Sequence, residues 1–99
     1  MEIRHDKEER RFYAIYDDKE YSLEYNEVKD NLWEFMCPYI PSIVTNLKEI
    51  EIREKLIETA INYMEKHNIQ VLDSGSCFHV RDFLDARKDL GFLIKYIIR

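Results

Sequence analysis

Only two glycines, two prolines and two cysteines occur in the 99 residues of the chain, and each shortage excludes something. Average usage would place about seven glycines in a chain of this length. The glycine-rich loops that let a backbone close around a phosphate are therefore missing. The cysteines, Cys37 and Cys77, lie far apart and show no repeated metal spacing, which excludes a disulfide scaffold. With three scattered histidines they give no metal signature. No apolar run reaches transmembrane length, and the first residues lack the apolar core of a targeting segment. A soluble, cytoplasmic protein with no membrane partner is expected. There is no repeat, low-complexity stretch or linker, so residues 1–99 are read as one domain.

What the chain does have is bulk and charge. Hydrophobic residues make up 45% and charged residues 35%, with seven tyrosines, five phenylalanines and one tryptophan to fill a core. A domain this size buries roughly 60–65% of its unfolded surface, enough for one core and one modest cleft. The net charge of −5 repels nucleic acid on average, so no nucleic-acid partner is expected. The basic residues Arg4, Lys7, Arg10 and Arg11 alternate with Asp6, Glu8 and Glu9, the pattern of a solvated turn.

Periodicity divides the chain into eight elements. Met1–Arg4 reads as a short strand and His5–Arg10 as a charged turn. Arg11–Tyr16 alternates, with Phe12, Ala14 and Tyr16 on one face. Asp17-Asp18-Lys19 is a turn. Glu20–Val28 alternates more cleanly, with Tyr21, Leu23 and Tyr25 inward, as in an antiparallel sheet with one face on the core. Leu32–Ile40 reads as the central strand, interrupted by Pro38, which has no N–H to give a partner strand. Glu49–Asn68 is the clearest helix: Ile50, Ile57, Ile61 and Met64 recur at helical spacing, widened by Leu56, Ala60 and Tyr63. Asn46 and Glu49 have the form of a capping box. Ile69–Leu72 is a further strand, Cys77 to about Lys88 a second helix closed by Gly91, and Phe92–Ile98 a last strand. The fold class is therefore α+β with a mostly antiparallel sheet, in the order β-β-β-β-α-β-α-β. The strand–helix–strand unit centred on the long helix places any ligand at the strand's carboxyl end, beside the helix N-terminus.

This order, with several local residues, resembles the small single-domain branch of the GNAT superfamily of N-acetyltransferases. Ile40-Pro41 is similar to that branch's Val-Pro. Ile52, Leu56, Ala60 and Tyr63 fall on its helix pattern, and Cys77, Val80, Phe83 and Leu84 on its Cys-x-x-Val-x-x-Tyr-Ile segment. The resemblance covers nearly the whole chain. It implies a GNAT-like fold, acetyl-CoA as co-substrate, a small-molecule or protein amine as acceptor, and a cofactor-binding set of Tyr39, Ile40, Lys48, Ile50, Ile52 and Arg53. It implies catalytic roles for Cys77, at the branch's own cysteine, and for Cys37, where the branch has a histidine. Members of that superfamily often use a carboxylate, through water, as base; Glu24 and Glu34 are candidates on strands, but neither falls on a fixed motif. The turn that wraps the pyrophosphate in the family aligns with Lys48–Arg53, where Glu49 and Glu51 replace its two glycines.

Two functions follow. One is acetyl transfer to an amine, with backbone N–H groups near Met36–Ile40 stabilising the oxyanion. The other is a binding or interaction module on the same scaffold that has lost acetyl-CoA. For both cysteines the competing reading is a small buried residue without chemistry.

Overall fold

A computed structural model of the chain describes residues 2–42, 45–73, 78–87 and 94–96. Its elements are β1 (Arg4–Asp6), β2 (Arg11–Tyr16), β3 (Lys19–Lys29), β4 (Leu32–Phe35), α1 (Leu47–Lys66), β5 (Gln70–Asp73), α2 (Phe78–Ala86) and β6 (Ile94–Tyr96). The order is the one expected from sequence. The strands form one mixed sheet, β1-β2-β3-β4-β5-β6, in chain order. The first three pairings are antiparallel and the last two, β4–β5 and β5–β6, are parallel. The fold is thus α+β, with two helices and a mixed sheet.

Local chemistry sets the turns, and the glycine shortage shows in how it does so. The β2–β3 hairpin closes through Asp17 and Asp18 between the paired Tyr16 and Lys19. Both aspartates have positive φ, at 52° and 60°, as a two-residue turn matched to the strand twist requires. Asn31, at φ 60°, turns β3 into β4. At the end of α1, Asn68 takes the left-handed position at φ 56°. The Ile69 amide then bonds the Met64 carbonyl at 2.9 Å and the Asn68 amide bonds that of Glu65 at 3.4 Å. This is the Schellman ending, with asparagine where glycine is usual.

The core lies between one face of the sheet and α1. Phe12, Tyr21, Leu23, Tyr25, Trp33 and Phe35 meet Ile52, Leu56, Ile57, Ala60, Ile61 and Met64 of the helix, and Val80 and Leu84 of α2 join them. Each large aliphatic residue so buried contributes about 1.5–3 kcal/mol. Leu56, Ile57, Ala60, Ile61 and Met64 of the helix are buried as expected, and the stripe departs from expectation in its first turns. Ile52 is fully buried, whereas Ile50 and Arg53 lie at the margin. Aromatic rings lock the sheet side: Tyr25 stacks on Trp33 at 3.8 Å, and Trp33 lies 5.8 Å from the Tyr63 ring.

Three expectations are corrected. The first strand is Arg4–Asp6, so His5 belongs to it and not to a charged turn. Its ring packs on Phe12 at 4.1 Å, because the β1–β2 register places His5 opposite Phe12. The central strand stops at Phe35, and the chain beyond follows a different geometry. Ser22 is buried, not outward and wet, because Tyr39 crosses it. The expected Gly91 cap and Ser74–Ser76 loop lie outside the described residues.

Candidate functional site

The β4–β5 ladder has two rungs, Leu32↔Gln70 and Trp33↔Val71. Beyond them the strands part company. β5 stays with β6, pairing Val71, Leu72 and Asp73 with Ile94, Lys95 and Tyr96. The β4 side stays with β3: Phe35 opposes Tyr25, and the Met36 amide bonds the Glu24 carbonyl at 2.9 Å. The pleat gives the fork its chemistry. The Tyr25 amide bonds the Arg10 carbonyl at 3.0 Å, so its polar groups face β2. In a pleated sheet the opposing Phe35 must turn its N–H and C=O the other way, toward the fork.

The chain then bulges. The Tyr39 amide bonds the Ser22 carbonyl at 2.7 Å, and the Ser22 amide returns a bond to the Tyr39 carbonyl at 3.3 Å. The step from Glu24 to Ser22 on β3 is two residues, while that from Met36 to Tyr39 is three. One extra residue on this strand is a β-bulge, and Pro38, with no N–H to pair, sits inside it. Ser22, Glu24, Glu20, Arg11, Met36, Cys37 and Tyr39 line a cleft of about 340 Å³ at the bulge. Arg11 and Glu20 form an ion pair within it, while Glu24 is exposed there.

The N-terminus of α1 stands over the end of the β2–β3 hairpin, where Glu49 bonds Tyr21 and Lys48 lies 5.2 Å from the Tyr16 ring. Asn46 and Glu49 form the capping box expected from sequence: the Glu49 amide donates to Asn46 Oδ1 at 2.9 Å, and the Asn46 amide to Glu49 Oε1 at 3.3 Å. The tertiary partners of Glu49 had no signal in the sequence. Its Oε2 accepts from Ser42 Oγ at 2.6 Å and from the Tyr21 hydroxyl at 3.0 Å. Solvent reaches 3% of the residue. The Ser42 bond holds its pKa below the ordinary value of 4.5; burial opposes this, and the bonds from Asn46 and Tyr21 add to the lowering. The Tyr21 hydroxyl is pushed up, first by burial and then by its bond to Glu49. The first turn of the helix thus carries its own fixed anion, placed where the helix dipole favours one.

The expected site residues fall in several places. Tyr39 and Cys37 are exposed at the bulge, and Ile40 packs partly against the core. Lys48 pairs with Glu51 at 3.6 Å and lies 5.2 Å from the Tyr16 ring, so Glu51 points outward. Ile50 is half-buried, while Ile52 is sealed in the core and offers no surface to a ligand. Arg53 Nη1 lies 3.4 Å from Nε2 of His79 in a groove between α1 and α2. Glu34 is half-buried on β4. Cys77 lies outside the described residues. No metal-ligating cluster occurs among the described residues, and none of their helices is long and apolar enough to cross a membrane.

Comparison with known proteins identifies no relative: no family model matches the chain, and neither a curated protein nor a solved structure does.

Proposed function

We propose that the chain is a small GNAT-type N-acetyltransferase whose acyl thioester enters the fork between β4 and β5. The observation that carries this reading is the parting, after Trp33 and Val71, of two parallel strands that α1 connects. An extended thioester arm needs backbone partners, and Phe35 turns both of its polar groups into that fork. A bound acetyl thioester would supply the activated acyl group. The backbone at Phe35 and the bulge would hold its carbonyl, and backbone N–H groups stabilise an oxyanion strongly because they need no reorientation. Glu24, in the cleft beside the bulge, would accept the proton from an attacking amine.

The two ends of acetyl-CoA fit this chain unequally. The fork suits the arm. The pyrophosphate would meet the Glu49 carboxylate under the first turn of α1, and a charge at about 6 Å weakens an anion by roughly 3- to 100-fold. Lys48 is drawn toward Glu51 and offsets this only in part. That anion favours a second reading, a binding module on the same scaffold that no longer takes acetyl-CoA.

Calorimetry with acetyl-CoA and with acetyl-pantetheine, which lacks the pyrophosphate, separates the two. The acetyltransferase reading expects both ligands to bind, with Glu49→Gln tightening acetyl-CoA and leaving acetyl-pantetheine unchanged. Binding of neither at millimolar concentration removes it. If acetyl transfer to an amine is measured, Glu24→Gln should slow it by about 100-fold or more. An unchanged rate would take the base role from Glu24.

A further inference from the structure

The first strand is held to the sheet by little backbone. β1 has three residues, at the sheet edge, paired as Arg4↔Tyr13, His5↔Phe12 and Asp6↔Arg11. Arg4 is exposed and its guanidinium pairs with Glu2, not with the sheet. Ile3, just before the strand, packs partly against the core, and the strand itself is fixed by its central side chain. The His5 ring lies flat on Phe12 at 4.1 Å, meets Tyr63 edge-on at 4.6 Å and Trp33 edge-on at 6.1 Å. Its Nε2 is 2.8 Å from the Tyr25 hydroxyl, and its Nδ1 is buried with no hydrogen-bond partner.

That arrangement suits one charge state only. A neutral imidazole with its one proton on Nε2 gives it to Tyr25 and leaves only an acceptor lone pair unpaired on the buried Nδ1. An imidazolium must carry hydrogen on both nitrogens, and the second would lie buried with no acceptor. The charged neighbours do not rescue it. Lys7, in the β1–β2 turn, sits 5.9 Å from the Tyr63 ring and brings positive charge to this side, and His67, the C-cap of α1, packs on the same ring at 4.2 Å. On β2, Phe12 offers no charge, and on β3 the facing group is the neutral Tyr25 hydroxyl. Asp6 alone favours a cation.

We propose that His5 is a proton-operated latch: its protonation in mildly acid solution releases β1 from β2 and uncovers the edge of β2, while the rest of the sheet stays closed. The acidity of the ring agrees. Burial first, then Lys7, push His5 below its ordinary value of 6.5; Asp6 opposes and His67 adds to the lowering. A released strand regains the ordinary value. Opening is therefore favoured as pH falls through 6.5, by at most about tenfold per pH unit, until the closed-state value is reached. Closure is complete in neutral solution, where both states are uncharged.

Amide hydrogen exchange on the full chain, corrected for the intrinsic pH dependence, tests this. Between pH 7.5 and 5.5, amides that bridge β1 and β2 should lose up to about tenfold in protection. Amides in the middle of α1 should hold theirs. His5→Phe, which keeps the stack on Phe12 and cannot be protonated, should abolish the change. Unaltered protection at β1 in the unmodified chain would overturn the latch, as would an equal loss in His5→Phe. A loss spread evenly over α1 would also overturn it, since His5 would then govern global stability alone.

Discussion

Trp33→Ala should destabilise the fold by about 3–5 kcal/mol, the largest effect expected of any single side chain here. The residue is 6% exposed. It stacks on Tyr25 at 3.8 Å with its plane tilted by 8°, and Tyr63 of α1 lies almost parallel to it at 5.8 Å. It also forms the last rung of the β4–β5 ladder. Alanine would leave a cavity facing the rings of His5, Phe12, Tyr25 and Tyr63 and weaken the crotch of the fork. Domains of this size are stable by only about 5–15 kcal/mol, so Tm should fall by roughly 12–40 °C. Urea unfolding followed by circular dichroism measures it, with Trp33→Phe as the control. Phenylalanine retains a ring over Tyr25 and should cost about 2 kcal/mol. Equal losses in the two variants would mean that ring stacking does not hold the fork.

Glu49→Ala should give the second largest effect, a Tm lower by about 10–20 °C. It removes the return bond of the capping box and strands the hydroxyls of Ser42 and Tyr21 beneath the helix. Glu49→Gln keeps the shape and part of the bonding and should lose less than half as much. The pH dependence follows from the lowered pKa. The stability this carboxylate lends is fully present above 4.5, where it is ionised in folded and unfolded chains alike. It is lost as pH falls through the lower folded value. Thermal melts from pH 7 to pH 3 should therefore show a gap between the unmodified chain and Glu49→Ala that narrows toward the acid end. A constant gap between them would mean that charge plays no part.

Much of the architecture is written in local pattern. The alternation at Tyr21, Leu23 and Tyr25 was enough to place a strand and its inner face, because a side chain's direction in a strand depends only on parity. The pair Asn46 and Glu49 was enough to place the start of α1, because a capping box closes within four residues. What the sequence could not show are the relations between distant segments. Glu49 reads as a helix cap, but its bonds to Tyr21 and Ser42 depend on how α1 lies across β3. His5 reads as one of several charged turn residues until register puts Phe12 opposite it. Pro38 marked the end of regular pairing, yet the extra residue between Met36 and Tyr39 appears only against the partner strand.

The strands stand in the sheet in the order in which they are made. The four antiparallel strands are joined by tight turns, so their contacts can form early and at small entropic cost. The two parallel pairings must wait for a whole helix to be placed between the strands they join. The fork is therefore among the last regions to assemble and the first to come apart. Unfolding rates should respond to changes at Val71 far more than folding rates do, and the reverse should hold at Leu23.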